Sequence, residues 1–192
     1  MNKKEQIKKY LKRKGKKEIV DYKWILIITV SAFFISILFS LLSETIIPNV
    51  NILIGVLILI IFILIGVIFD MVGVSVTTAK EASFHSMNAN KVHGAKMAVK
   101  LKKSSDKTSS FCNDVVGDIC GIVSGSTGSI IASKIAIKYS LNPFLTILII
   151  TGVISAITIG GKALGKGIAV NKSNYILYEF SKIITDLSIR KK

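Results

Sequence analysis

The sequence contains few cysteines and few acidic residues. Its 192 residues include only two cysteines, Cys112 and Cys120, too few for the disulfide framework of a small secreted domain. Asp and Glu total 11 against 26 Lys and Arg, which gives a formal net charge of +15. The length is that of one domain, well below the size at which hydrophobic cores usually divide.

Charge is also missing from long stretches of the chain. Apolar residues make up 51% of the sequence and form continuous blocks, with the cations between the blocks. This apolar content excludes an intrinsically disordered chain. In a soluble domain, apolar and charged residues are interspersed with the period of a helix or a strand, and in a transmembrane barrel apolar and polar residues alternate. The block pattern therefore argues against both classes of protein.

Four of the apolar blocks are long enough to cross a bilayer as helices, which takes about 20 residues. The first block has 19 residues and no charge. The sequence therefore predicts an all-α integral membrane protein with a cytoplasmic helical hairpin and a C-terminal juxtamembrane helix. Its four transmembrane helices are expected at residues 24–42, 52–76, 112–137 and 144–165.

The distribution of lysine and arginine predicts the orientation. Ten lie in residues 1–23, seven in 80–107 and seven in 162–192, whereas the turn at 43–51 has none. Because cytoplasmic segments carry the excess of Lys and Arg, we expect a multi-pass protein of the cell membrane with both termini in the cytoplasm.

The basic N-terminal segment, residues 1–23, is expected to set this topology. Near the inner leaflet it would contact anionic lipid, at about 1 kcal/mol per cation. A lysine run can also bind nucleic acid, but topology explains this run more simply and we expect no nucleic-acid partner. The long apolar stretch that follows has no cleavage site, so it predicts an uncleaved anchor and not a signal peptide.

Two segments outside the apolar blocks have helical patterns. Residues 78–110 predict the cytoplasmic hairpin, with a break near Gly94. Residues 171–192 predict the amphipathic juxtamembrane helix, lying on the inner leaflet or against the bundle. Its apolar stripe consists of Ile176, Phe180, Ile183, Ile184 and Leu187.

Three aspartates lie in or beside the apolar blocks. Asp70 is near the end of the second block, and Asp114 and Asp118 share a helical face at the start of the third. Ionisable groups at such depth are costly, which indicates either a functional role or neutralisation by neighbouring lysines. No nucleophile–base arrangement accompanies them, so we expect no enzyme activity.

The third block is rich in small residues, among them Gly117, Gly121, Gly125 and Gly128. Small residues at this spacing let helices approach closely in lipid. The alternative is that close approach exposes backbone and hydroxyl oxygens to a cation path, since hard cations prefer oxygen ligands.

Five features follow one another in a fixed order between residues 52 and 190. They are Gly73-Val74-Ser75 with Thr78-Ala79, the segment HGAKMAVKL, the pair Gly117-Asp118, the string from Gly161 to Lys166, and the amphipathic C-terminal helix. This order and spacing resemble the transmembrane domain of the cyclin-M (CNNM) and CorB–CorC family of magnesium transporters.

The resemblance implies a homodimeric transporter or exporter of divalent cations, with Mg²⁺ as the transported ion and no other cofactor. In that family the cation lies among hydroxyl, Asn and Glu oxygens of these strings. Carried over by position, the ligands are Ser75 and Asp118, and Asp70 and Asp114 are further candidates. The remaining motif positions are Gly117, Gly161, Lys162 and Lys166.

The departures from the family pattern concern the site itself. This chain has Gly73 where the family string begins with Ser, and Asp118 where the family has Asn. It has Lys162 in place of the family's Glu and Gly165 in place of its Pro. A Lys ammonium has three donors and no lone pair to give to a metal. We therefore hypothesise that Lys162 reaches Asp118 and occupies the cation position itself, since each charge alone in a membrane is expensive.

Three functions remain open from the sequence. The first is the cation transporter. The second is a non-transporting membrane scaffold or partner subunit on the same fold, with its cation site occupied by Lys162. The third is an unrelated membrane protein whose motifs match by chance. The family's nucleotide-sensing CBS pair has no counterpart before Lys192, so we expect no regulation through it.

Overall fold

The computed structural model describes residues 22–190, apart from the side chain of residue 189, and most of the predicted segment 1–23 lies outside this range. The described part is all-helical. Its helices are α1 (Tyr22–Ile46), α2 (Ile52–Thr78), α3 (Glu81–Ala89), α4 (Ala95–Lys103), α5 (Ser105–Ser110), α6 (Asp118–Lys138), α7 (Pro143–Asn171) and α8 (Ser173–Ile189). A 3-10 turn, Ile47–Asn49, follows α1, and a π-helical segment, Phe111–Gly117, joins α5 to α6.

Four helical stretches are long and apolar enough to cross a membrane. They are Tyr22–Asn49, Ile52–Thr78, Ser105–Lys138 and Pro143–Asn171. The all-helical class and the four long apolar helices confirm the prediction at this level. We call Ser105–Lys138, which combines α5, the π-helical segment and α6, the third span.

The third span begins at Ser105 and not at residue 112, where the apolar pattern starts. Ser, Thr and Lys can continue a helix, and Asp106 in its first turn interacts favourably with the helix dipole. The predicted hairpin region therefore divides. Helices α3 and α4 pack against each other, whereas the residues after Ser104 belong to the third span.

The fourth long helix also exceeds its predicted length. Helix α7 continues from residue 165 to Asn171 because only Gly, Ala and β-branched or long side chains follow, and no proline. At its start, the side chain of Asn142 accepts hydrogen bonds from the backbone N–H groups of Phe144 and Leu145. This N-cap fixes where the helix begins.

The break between α3 and α4 requires a glycine. Gly94 has a left-handed φ of +79°, and a Cβ added there would lie 3.0 Å from the Cα of Lys182 in α8. Any larger residue would be strained and would push α8 away. The position therefore sets how closely α8 packs on the α3–α4 pair.

The third span lies at the centre of the bundle. Its α6 part packs against α1, α2 and α7. Close approach to α2 occurs at Gly66, where an added Cβ would lie 3.1 Å from the Cβ of Cys120. The hydroxyls of Ser43 and Thr127, both buried, form a 2.7 Å hydrogen bond that links α1 to α6.

One apolar core lies where α3, α4 and α8 pack on the end of α2. We call this end of the bundle the basic end, because lysines are frequent in and around α3, α4 and α8. Its buried residues are Val72, Val76, Ala79, Phe84, Ala98, Cys112 and Leu177. Helix α8 uses Ile176 and Phe180 against this core, whereas Ile183 and Leu187 remain exposed.

Lysines bind backbone carbonyls at both ends of the bundle. At the basic end, Nζ of Lys102 donates to the carbonyl oxygens of Val76 and Thr77, at 2.9 and 2.8 Å. At the other end, Nζ of Lys134 donates to those of Ile47 and Val50, at 2.7 and 2.6 Å. Each lysine thus satisfies carbonyls that a helix end leaves without partners.

The contact at Gly66 gives a stability prediction. We expect Gly66→Ala to lower the midpoint of thermal unfolding in detergent, because crowding against Cys120 costs about 1–3 kcal/mol. The matched control is Gly121→Ala, where an added Cβ meets nothing within 4 Å. The control should leave the midpoint unchanged or raise it slightly, through helix propensity. Equal midpoints for the two variants would contradict the close packing at Gly66.

Candidate cation site

Lys162 of α7 reaches the start of α6. Its Nζ lies 3.5 Å from Oδ1 of Asp118 and donates a 3.2 Å hydrogen bond to the carbonyl oxygen of Gly117. The Lys162 side chain is 20% exposed and that of Asp118 is 68% exposed. The structure therefore brings together the two residues that the sequence hypothesis pairs. That Lys162 replaces a cation there stays a prediction.

Two glycines permit this approach. Gly117, the last residue of the π-helical segment, is buried, and an added Cβ would lie 3.5 Å from Nζ of Lys162. Gly161 lies beside Lys162 and packs on α2, where an added Cβ would lie 3.2 Å from Cγ2 of Val67. The two motif glycines thus let α7 come close to α2 and to the third span.

Asp70 forms a second acid–lysine pair. This residue of α2 is 4% exposed, and its Oδ2 lies 3.6 Å from Nζ of Lys166. The distance exceeds the roughly 2.7–2.9 Å of a charge-assisted hydrogen bond. Among the described residues, that oxygen has no hydrogen-bond partner. Lys166 thus provides a nearby positive charge for Asp70 without a hydrogen bond.

Asn113 adjoins the same part of α2 and was not singled out by the sequence. Gly73 leaves room for it, since an added Cβ there would overlap the Asn113 amide. Its Nδ2 donates to Oγ of Ser109 at 3.3 Å, while its buried Oδ1 has no hydrogen-bond partner in residues 22–190. Gly73 follows Asp70 by three positions, so both lie on one face of α2.

The sequence contains a feature that could have drawn attention to Asn113. It is the one asparagine between residues 105 and 138, and it lies next to Asp114 in the polar start of the third block. Its importance depends on the π-helical geometry, which periodicity does not predict. Segments of this kind frequently mark functional sites in helices.

The other predicted ligands lie in different surroundings. Ser75 is fully buried, and its hydroxyl donates to the carbonyl oxygen of Ala169 at 3.5 Å. Asp114 is exposed. No group of three or more His, Cys, Asp or Glu side chains that could hold a metal occurs within residues 22–190. The candidate oxygen atoms thus lie in different surroundings, and two of them belong to carboxylates with a lysine beside them.

A small groove extends from Lys162 along the contact between α6 and α7. Its volume is about 240 Å³, and Gly121, Gly125, Ser155 and Thr158 line it. A Cβ added to Gly121 or Gly125 would meet no described atom within 4 Å. The groove therefore has room for a methyl group at either position.

The Lys162–Asp118 pair gives a second prediction. Lys162→Ala strands the Asp118 carboxylate, whereas Asp118→Ala/Lys162→Ala removes both charges. Because a lone charge is costly inside a membrane, we expect the single change to lower the thermal unfolding midpoint more than the double change.

The control for charge loss is Lys138→Ala, a change at the far end of α6. It should leave the midpoint close to that of the unchanged protein. An Lys162→Ala variant as stable as the unchanged protein would show that the pair contributes nothing to folding.

Comparison with known proteins gives no match, whether to a family model, a curated protein or a solved structure. The resemblance to the CNNM and CorB–CorC domain therefore depends on the quoted motifs and their order. Its implications for function belong to the proposals that follow.

Proposed function

We propose that the protein is a membrane transporter of divalent cations, with magnesium as its first candidate ion. The observation that carries this proposal is a pair of buried oxygens that have no hydrogen-bond partner among residues 22–190. They are Oδ2 of Asp70, which lies about one helical turn before Gly73 on α2, and Oδ1 of Asn113, whose amide packs against Gly73. Carboxylate and amide oxygens are typical ligands of hard cations.

A bound cation would offset the free-energy cost of burying these two oxygens without hydrogen-bond partners. A buried acceptor that lacks a partner costs about 1–3 kcal/mol, and more when it is charged. A divalent ion between α2 and the π-helical segment would supply positive charge to both. Magnesium gives up its water reluctantly, so it would keep several waters and need few protein ligands.

The two lysines of α7 would regulate such a site. Lys162 and Lys166 are four residues apart and therefore lie on one helical face. Each lies near a carboxylate, at 3.5 Å from Asp118 and 3.6 Å from Asp70. An arriving cation would have to displace these ammonium groups. Movement of α7 could then couple ion binding to alternating exposure.

The second candidate function is a non-transporting scaffold or partner subunit. The contact of Lys162 with both Asp118 and Gly117 favours it, because the ammonium already satisfies oxygens that a cation would use. In this case Lys162 holds the bundle together, and the basic end binds anionic lipid or another protein.

We also propose that the basic end faces the cytoplasm, that both termini lie there, and that two copies assemble as a homodimer in the cell membrane. The excess of lysine at this end supports the orientation. The dimer follows from the family resemblance alone.

Magnesium flux tests the transport proposal. The purified chain is reconstituted into liposomes that enclose a magnesium-sensitive dye, and an ion gradient is imposed. We expect flux above that of empty liposomes, reduced about tenfold or more by Asp70→Asn or Asn113→Leu, as for lost metal contacts. The matched control Asp106→Asn alters an exposed acid in α5 and should leave the flux unchanged.

The same assay separates the two functions. Flux from the unchanged protein supports transport. No flux from the unchanged protein, but flux after Lys162→Glu, supports a relative whose site is closed by its own lysine. Absence of flux from both would contradict transport.

Cysteine labelling tests the orientation. Ser86→Cys lies in α3, and Ser140→Cys lies in the turn before α7, and both positions are exposed. In intact cells, a membrane-impermeant maleimide should label Ser140→Cys and leave Ser86→Cys unlabelled until the cells are opened. Cys112 and Cys120 are buried and provide the background in the unchanged protein. The reverse labelling pattern would invert the orientation.

A further inference from the structure

The third span is covered by other helices on most sides, and an open side remains beside α7. Asp118 lies on this side with 68% of its side chain exposed, and Ile122, one helical turn later, is also exposed. The groove of about 240 Å³ between α6 and α7 begins at the same level and contains Gly121 and Gly125. This combination of charge, open space and an exposed apolar side chain is unusual on a helix that faces only lipid.

Asp114 adds an unpaired acid to the open side. It precedes Asp118 by four residues, about one helical turn, and it is exposed. Its carboxylate forms no hydrogen bond or ion pair with any residue of 22–190, whereas Asp118 has Lys162 beside it. Because a lone carboxylate at the edge of a membrane span is costly, this position favours a cationic partner from outside residues 22–190.

Lys166 is a cation at the matching depth. The contact of Lys162 with Asp118 places these two residues at one level of the bundle. One helical turn nearer the basic end, α7 contains Lys166 and the third span contains Asp114. The Lys166 side chain is 54% exposed, and its ammonium has three donors. Its 3.6 Å approach to Asp70 therefore leaves it able to pair with a second acid.

We propose that a second copy of the chain covers this open side, with Asp114 of each copy paired to Lys166 of the other. Two copies inserted in the same orientation place equal depths opposite each other, and a two-fold axis along the membrane normal makes each contact reciprocal. The surface is thus complementary in charge to itself. Ile122 of each copy would enter the groove of the other at Gly121 and Gly125, since small residues allow close approach in lipid.

This inference rests on the homodimer proposed above and identifies its interface, but it does not require transport. If the protein does transport cations, the interface also reaches the candidate cation site. Lys166 would then be shared between Asp70 of its own chain and Asp114 of the second copy. Dimer formation would draw the ammonium away from Asp70 and leave that carboxylate freer to bind a cation.

Energy transfer between labelled chains tests the interface. Ser86→Cys, exposed in α3, carries a donor dye on some chains and an acceptor dye on others, and the full chain is reconstituted into phosphatidylcholine liposomes at decreasing protein density. We expect transfer above the level that random crowding gives. Asp114→Lys brings like charges together at both symmetric contacts, so it should raise the density for half-maximal transfer about tenfold, as for two exposed ion pairs.

A mixture of two variants tests the pairing directly. Asp114→Lys chains have lysine at both positions of the pair, and Lys166→Asp chains have aspartate at both, so each variant alone repels its own copies. An equimolar mixture, with donor on one variant and acceptor on the other, restores both contacts with their signs exchanged. We expect transfer at the density that suffices for the unchanged protein. Circular dichroism and thermal unfolding verify that each variant is folded.

Gly125→Leu fills the groove and tests the interface without a change of charge, so it decides the question even if Lys166→Asp fails to fold beside Asp70. It should abolish transfer at densities where the unchanged protein associates. The matched control is Gly160→Leu on α7, an exposed glycine outside the groove. An added Cβ there also meets no described atom within 4 Å, and this variant should retain the transfer.

Three results would overturn the inference. Transfer no greater than random crowding at every density would show that lipid covers the open side, and it would remove the homodimer as well. Transfer that survives both Asp114→Lys and Gly125→Leu would keep the homodimer but assign it a different interface. Absence of rescue in a mixture of two folded variants would exclude the contact between Asp114 and Lys166.

Discussion

Every polar group within the long apolar helices needs a partner from the chain itself, because lipid supplies none. The third span carries many such groups, and it lies at the centre of the bundle. Its hydroxyls donate to carbonyls of their own helix, as Ser124 does to Cys120 at 2.7 Å, or share a hydrogen bond with a hydroxyl of a neighbouring helix, as in the Ser43–Thr127 contact. The more apolar helices surround it and turn their large side chains outward. The arrangement of the helices, with the third span at the centre, thus follows from where its polar residues can find hydrogen-bond partners.

The same constraint explains part of the positive charge. Carbonyl oxygens at helix ends and turns also need donors, and a lysine side chain is long enough to reach them from another helix. Lys102 joins the end of α2 to α4, and Lys134 joins α6 to the turn after α1. These lysines act inside the structure, whereas charge counting assigns them only a topological role. Removing either would leave two carbonyls without partners at a point where the chain changes direction.

The sequence predicts the parts of this fold that depend on composition over 20 residues or more. Long apolar stretches identify the four helices because length and hydropathy are sufficient for that purpose. It does not predict that Ser105 begins the third span, because polar residues can extend a helix that tertiary contacts support. It also misses Asn113, whose position depends on the π-helical segment and on the space at Gly73. The pairing of Asp70 with Lys166 requires the relative rotation of two helices, which one sequence does not contain.

The two proposed roles of this site, binding of an ion and closure of the site by lysine, are compatible with each other. Asp70 and Asp118 come from different helices, yet both meet ammonium groups on one face of α7. The N–O distances of the two pairs, 3.6 and 3.5 Å, are longer than those of strong charge-assisted hydrogen bonds. In each pair the charges attract each other without a short hydrogen bond. In the proposed transporter, a divalent ion would bring more charge to Asp70 than an ammonium does and would also bind the amide oxygen of Asn113. Binding would then repel both lysines of α7 together, and a small movement of that single helix would exchange one set of partners for the other.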